Sequence, residues 1–250
     1  MFDIHSHTLW NLDDGSPDLE TTLGMCDIAF ETGTDTLFLT PHIVYWEEAE
    51  STLYRRNEKT DSLRRILLDE RIDIELVKGF EIMCDDEIFE VRNLEPFTLG
   101  HSRYLLIEFN FWKTEENDVS SWCSFIQSNG LVPVIAHPER YGFIQDDISV
   151  LDRLSEKGVL FQINSGSPLG MFGDLECDIS LMMLKNGYVD FIGSDAHNTQ
   201  HRNTAMGEMI SYYPEDVSDR VLELATEINP ALLIEDKDIK PKRLHYMAGS

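Results

Sequence analysis

Histidines and carboxylates recur along this 250-residue chain in short, ordered groups. They are Asp3-Ile4-His5-Ser6-His7, Thr40-Pro41-His42, Gly79-Phe80-Glu81, Leu106-Ile107-Glu108-Phe109, Ala136-His137-Pro138-Glu139-Arg140 and Gly193-Ser194-Asp195-Ala196-His197. Side chains at i and i+2 of an extended segment point the same way, so His5 with His7, and Asp195 with His197, can reach one ion together. Imidazole and carboxylate donors without thiolate suit Mn2+, Zn2+ or Fe rather than a structural Cys–zinc site. Such groups beside apolar strands are costly to bury unless paired or ligated, and several meeting at one place repel one another without cations. Any one of these histidines, alone, reads as an ordinary core or surface residue. Five of the eight, however, end apolar runs, with four carboxylates in equivalent places, and that order argues for a metal site. His101, His201 and His245 end no such run and read as surface residues.

The elements that must position these groups are short apolar runs alternating with amphipathic ones. Residues 2–5, 36–40, 72–80, 104–109, 131–136, 159–163 and 189–192 have the length and the Val/Ile/Leu/Phe content of buried strands. Between them the spacing predicts helices. In the first, Ser16 is placed as N-cap, Pro17 as first helical residue and Gly33 as C-cap, with Leu19, Leu23, Cys26 and Phe30 on one apolar face. Further helices are predicted over 51–68, 119–128, 148–157, 174–186, 204–212 and 215–228. Strands alternating with helices imply a parallel sheet with helical crossovers. Seven strands in one series make an α/β fold, a (β/α)7 barrel in first place and an open doubly wound sheet in second. Every strand then exits on one face, where barrels build their active sites; the sixth exit carries Gln162-Ile163-Asn164-Ser165. No linker or internal repeat divides the chain, so residues 1–250 are expected to form a single domain.

Composition narrows the partners. Lys and Arg number 20 against 46 Asp and Glu, a formal net charge of −26, which argues against a phosphate backbone or an anionic membrane surface. Apolar runs are too short to span a bilayer, and Asp3, His5, Asp13 and Asp14 are incompatible with a signal peptide. Cys26, Cys84, Cys123 and Cys177 form no C-x-x-C pair, so four reduced thiols in a cytoplasm are expected. Six residues after them stand Thr32, Glu90, Asn129 and Met183, so the C-x5-R loop of cysteine phosphatases is absent and the cysteines read as small core residues.

Taken together, H-x-H, Asp13-Asp14-Gly15, P-H, G-x-E, I-E-F, A-H-x-E-R and S-D-x-H in this order resemble the polymerase-and-histidinol-phosphatase (PHP) superfamily. Within it they are most similar to the bacterial tyrosine-protein phosphatases of capsular and exopolysaccharide synthesis. The resemblance runs from Met1 to about Asn229. It implies a distorted (β/α)7 barrel of the PHP type and three divalent ions, Mn2+ foremost with Fe or Zn as alternatives. The ligands it implies are His5, His7, Asp14, His42, Glu81, Glu108, His137, Asp195 and His197. Within the Asp13-Asp14 doublet either residue could serve, and the family pattern favours Asp14. Arg140 and Arg202 match the family's phosphate-binding arginines. The segment 43–54, with Tyr45, Trp46 and its glutamates, is where members differ, and it bears on substrate preference.

The implied activity is hydrolysis of phosphotyrosine by a metal-bridging hydroxide, on an autophosphorylated bacterial tyrosine kinase of capsule synthesis. Four ligand carboxylates against three divalent ions leave a positive site, suited to a phosphoester dianion and reinforced by two arginine forks. Phe111, Trp112, Trp46 and Tyr45 read first as packing residues near the mouth, and second as walls for a phosphotyrosine ring. The loop 165–173 is expected to border the cleft. Competing readings are a histidinol-phosphate-like small-molecule phosphatase, a nuclease, which the acidity disfavours, and a phosphotyrosine-binding regulator without turnover, which the complete ligand set disfavours. The residues do not reveal the oligomeric state.

Overall fold

The computed structural model describes residues 1–240, so the expectation for His245 lies outside the described residues. Parallel strands alternate with helices in the order β1 (Phe2–Asp3), α1 (Leu19–Glu31), β2 (Thr36–Leu39), β3 (His42–Ile43), α2 (Ala49–Glu70), β4 (Glu75–Lys78) and β5 (Glu81–Met83). There follow β6 (Tyr104–Glu108), α3 (Glu116–Ser128), β7 (Val132–Ala136), α4 (Gly142–Asp146), α5 (Val150–Glu156), β8 (Leu160–Asn164), α6 (Asp174–Asn186) and β9 (Phe191–Gly193). The last elements are α7 (Met206–Ser211), α8 (Asp219–Glu223) and α9 (Asn229–Ile234), the latter two joined by one π-helical turn over Leu224–Ile228.

Two of the seven expected strands, 36–40 and 72–80, are each followed by a second short strand beyond the expected end. Pro41, with no N–H to donate, separates β2 from β3, and Gly79-Phe80 separates β4 from β5. The regular pairings therefore split into β1-β2-β4 and β3-β5-β6-β7-β8-β9, all parallel. Bonds across the breaks keep the two arcs continuous: Thr40 N to Ser6 O at 2.9 Å, Gly79 N to Leu39 O at 3.0 Å, and Glu81 N to Pro41 O at 3.2 Å. Closure comes between the first and last strands. Asp195 N donates to His5 O at 2.8 Å, His7 N donates to Ala196 O at 2.9 Å, and Ser6 bridges Ala196 in parallel. Seven strand lines thus form a ring, and the open sheet is excluded.

Side-chain alternation divides the core. Tyr104 and Leu106, Val134 and Ala136, and Leu160 pack into one cluster with Ile4, Phe38 and Phe191. Leu105, Ile107, Ile135, Phe161 and Ile163 pack into the larger cluster with Trp122, Ile126, Leu151 and Met183 from the helices. The same two-residue period continues Tyr104 and Leu106 to Glu108, and Leu160 to Gln162 and Asn164, all buried. Apolar positions low on a strand thereby aim polar ones at its exit.

The helices depart from expectation in detail. Asp18, not Ser16, caps α1, accepting from Thr21 N; Ser16 is buried instead, its hydroxyl donating to Asp18 O and its N–H to His7 O. Thr32 is the C-cap, with Gly33 following it at φ +90°. The buried face of α1 is Thr22, Met25, Cys26 and Ala29, so of the expected apolar face Cys26 is buried while Phe30 is exposed. The helix expected over 215–228 is resolved into α8 and the π turn, and α9 continues beyond its expected end. Among the described residues, no helix is long and apolar enough to cross a membrane.

Candidate metal centre

The nine residues named by the motifs converge at the strand exits. Three overlapping groups have ligand atoms within 4.8 Å of one another: His5, His7, Glu81 and Asp195; His7, Asp14, His42 and His197; and His42, Glu81 and Glu108. Glu81 is central. Its Oε2 lies 3.0 Å from His5 Nε2, 3.1 Å from His7 Nε2 and 3.3 Å from His42 Nδ1. His42 joins two groups, with Nδ1 at 3.0 Å from Glu108 and Nε2 at 3.4 Å from Asp14. His137 stands at the edge, Nε2 at 3.0 Å from Glu81 Oε1 and 3.8 Å from Glu108 Oε2. His101 and His201 are exposed elsewhere.

Backbone geometry aims several of these side chains. His137 and Asp195 adopt φ +35° and +51°, a left-handed conformation that non-glycine residues hold only where their surroundings enforce it. At Asp195 the enforcement is the N–H bond to His5 O that closes the ring. Gly15 lies so close to His7 that a Cβ there would sit 2.2 Å from the His7 carbonyl oxygen. Only glycine permits that approach.

A surrounding layer directs the imidazoles. Gln162 Oε1 lies 2.8 Å from His5 Nδ1, Asp13 Oδ2 lies 2.7 Å from His7 Nδ1, and the Asp195 carbonyl lies 2.9 Å from His197 Nδ1. With Nδ1–H donated outward, the Nε2 lone pairs of all three rings face the cluster. Asn164 Nδ2 likewise donates to Asp195 Oδ2 at 2.7 Å. The doublet is divided: Asp14 offers its carboxylate to His42 and His197, while Asp13 orients His7 and accepts from His42 N. Motif reading passed over the directing roles of Gln162, Asn164 and Asp13. For Gln162 and Asn164 the available signal was a pair of amides on the inward positions of an apolar strand.

The donor set fits divalent cations. Glu81 Oε2, His42 Nδ1 and His137 Nδ1 are buried and make no well-directed hydrogen bond, the first two despite their close ionic neighbours, and the Nε2 atoms of His5 and His7 face each other at 3.1 Å. Charge tells the same story, because protons are drawn to where cations would sit. Burial opposes a charged His42, yet Glu81, Asp14 and Glu108 outweigh it and push its pKa up to about 12. His7 is raised to about 9 by Asp13 and Glu81 against burial and His42. Hydrogen bonds from His197 and His42 hold Asp14 well below the usual carboxylate range. Burial would raise Glu81, but His5, His42 and His137 hold it well below its ordinary value.

Arg140 and Arg202 border this centre. Arg202 Nη2 lies 2.6 Å and Arg140 Nη1 3.5 Å from Asp195 Oδ2. Of the expected mouth aromatics, Phe111 stacks on Tyr141 beside His137, and Trp46 meets Phe97 edge-on. Tyr45 and Trp112 do not pack; they are 61% and 82% exposed. The thiols stay out of the chemistry. Cys26, Cys84 and Cys123 are buried, with burial pushing the pKa of Cys26 and Cys123 up to about 12, and Cys177 is half-buried with Sγ 3.3 Å from the Pro168 carbonyl.

Comparison with known proteins agrees with this geometry. Tyrosine-protein phosphatase YwqE of Bacillus subtilis (strain 168) is 32% identical over 243 residues, spanning 96% of this chain and 93% of its own. Tyrosine-protein phosphatase CpsB of Streptococcus pneumoniae is 27% identical over 245 residues, 95% of this chain and 99% of its own. The chain superimposes with a TM-score of 0.83 and 32% identity on a crystal structure from work on YwqE of B. subtilis and CpsB of S. pneumoniae, described as unique metal-dependent tyrosine phosphatases. That match covers 97% of this chain and 99% of the other. Dihydropyrimidinase from Brevibacillus agri NCHU1002, at 11% identity and a TM-score of 0.54 over 94% of this chain and 70% of that one, shares the fold alone. The CpsB/CapC model for capsular polysaccharide synthesis matches residues 1–235, and by that match and these relatives the chain belongs to the CpsB/CapC family.

Proposed function

We propose that this chain is a metal-dependent protein-tyrosine phosphatase, built as one PHP-type domain and acting in the cytoplasm on a tyrosine-phosphorylated protein, an autophosphorylated kinase of capsule synthesis. The observation that carries the reading is the overlap of three imidazole–carboxylate groups on one ring face beside two arginines. His5, His7, Asp14, His42, Glu81, Glu108, His137, Asp195 and His197 would hold three divalent ions, Mn2+ foremost. Ions held by these residues would supply an activated water and neutralise phosphoryl charge, so that no protein nucleophile would be needed. Gln162, Asp13 and Asn164 keep the donors aimed, sparing reorganisation during the reaction. Arg140 and Arg202 offer guanidinium forks to the phosphate oxygens, complementing the charge that develops in transfer. In a chain of net charge −26, three bound ions together with these arginines would make the site a local positive island.

The test is a side-by-side assay with Mn2+ on phosphotyrosine peptide, histidinol phosphate and single-stranded DNA. Phosphotyrosine is expected to be preferred. Preference for histidinol phosphate supports the small-molecule reading, cleavage of DNA a nuclease, and phosphotyrosine binding without turnover a regulator.

A further inference from the structure

Phe172 stands apart from the apolar packing of the molecule. It belongs to none of the three hydrophobic clusters among the described residues and is half-buried. Its ring instead meets two cations, its centroid 4.9 Å from Arg140 Cζ and 6.0 Å from Arg202 Cζ. Arg140 also lies over Phe111, at 4.5 Å. We propose that Phe172 is a positioning residue for the phosphate clamp, holding both guanidiniums at the mouth of the metal centre through its ring face. The proposal rests on the phosphatase reading.

The physical need is visible at Asp195. Its Oδ2 accepts from Arg202 at 2.6 Å, from Asn164 at 2.7 Å and from Arg140 at 3.5 Å. An arginine that binds a phosphate oxygen must give up part of that contact, and a carboxylate hydrogen bond cannot steady it in both places. A ring face can, because its attraction for a guanidinium is electrostatic and tolerates lateral displacement. The root of the loop that carries Phe172 is anchored. Glu139 Oε1 accepts from Ser167 Oγ at 2.6 Å and from Asn164 N at 3.0 Å. This ties the root of the 165–173 loop to the turn Pro138–Arg140 that carries Arg140 itself. Ring and guanidinium therefore share one support.

The experiment compares Phe172→Leu with Phe172→Tyr in Mn2+-loaded protein, by calorimetric titration with inorganic phosphate and by steady-state kinetics on phosphotyrosine peptide. Phe172→Leu is expected to weaken phosphate binding about tenfold and to raise KM by a similar factor, with the loss falling on KM more than kcat. Phe172→Tyr keeps the ring and is expected to recover both. In an Arg140→Ala/Arg202→Ala background, Phe172→Leu should add nothing. Unchanged phosphate affinity in Phe172→Leu, or an equal loss with the arginines already gone, overturns the proposal. Should Phe172→Leu fail to fold, the metal-stripped wild type carries the test: Phe172 is the ring that Arg202 faces, so its ring current should move the Arg202 side-chain NMR resonances upfield, and ordinary shifts overturn the proposal. If wild-type protein leaves phosphotyrosine untouched, the phosphatase reading fails while the phosphate titration still decides the role of Phe172.

Discussion

Gly15→Ala is the smallest change predicted to dismantle the metal centre. The added Cβ would stand 2.2 Å from the His7 carbonyl oxygen, 2.4 Å from His7 Cβ and 3.0 Å from Asp13 Oδ1. Ordinary contacts between heavy atoms fall near 3.5 Å, so a displacement of about 1 Å is required. No side-chain rotation relieves it, since the nearest obstacles are backbone and Cβ. Ser16 N donates to that same carbonyl at 3.0 Å, and Asp13 holds the His7 ring at 2.7 Å, so any relaxation pulls on a bond that orients His7. Overpacking of this kind costs about 1–3 kcal/mol, a fall of roughly 2–12 °C in Tm for a chain of this size. The functional loss should be larger than the stability loss. Ligand distances tolerate about 0.2 Å, and misplacing a reacting group by about 1 Å can cost roughly 100-fold in rate. The assay is metal content by elemental analysis, kcat/KM on phosphotyrosine peptide and thermal melting, with Gly130→Ala as companion. Gly130 has φ +77°, and a Cβ added there would meet nothing within 4 Å, so this variant should lose about 1 kcal/mol of stability and no activity per folded molecule. A Gly15→Ala protein with full metal content and wild-type kcat/KM would refute the reasoning.

Prolonged chelation should abolish phosphatase activity and Mn2+ should restore it; full activity in protein shown to be metal-free would end the metal reading. Arg140→Ala and Arg202→Ala should retain metal but lose about 2–4 kcal/mol of transition-state stabilisation, tens- to several hundred-fold in kcat/KM. Arg153→Ala is the control, since Arg153 pairs with Glu116 at 2.7 Å and Asp147 at 2.8 Å on α5, and equal activities in all three would remove the clamp assignment. Asp3 supplies a pH signature: burial, only partly offset by hydrogen bonds from Ser194 and His5, raises its pKa from 3.8 to about 6. A buried acid with a raised pKa holds its proton longer in the folded state, so its contribution to stability falls as pH rises from about 4 to 6, by about 3 kcal/mol. Asp3→Asn preserves an acceptor for His5 N and Ser194 N and should flatten that window in denaturant titrations of metal-stripped protein; parallel pH profiles for the two proteins would contradict it.

What the chain disclosed in advance, and what it withheld, follows from the range of the forces involved. Apolar runs ending in His or a carboxylate are local features, so the strand exits and the histidines and carboxylates that stand on them were legible, whereas Asp14 entered only through the family pattern. Closure of the ring was expected from the seven strands and from the family resemblance, but the contacts that make it were not visible, because the bonds from Asp195 N to His5 O and from His7 N to Ala196 O are made by backbone, which every residue carries. Nor were the breaks at Pro41 and Gly79-Phe80: a strand that resumes after two residues keeps the same apolar composition on both sides. The face of α1 differs from the expected one for a related reason, since Phe30 and Met25 are both apolar and only the packing of the folded helix turns Met25 inward. Imidazole direction lies further out of reach. His5 is aimed by Gln162, 157 residues away, and Arg140 is steadied by a Phe172 whose letters, Met171-Phe172-Gly173, look like any loop. The identity of the candidate ligands is thus written locally while their aim is written by the fold. Gly15 is where the two meet, a residue legible beside Asp13-Asp14 whose necessity appears only once His7 is placed against it.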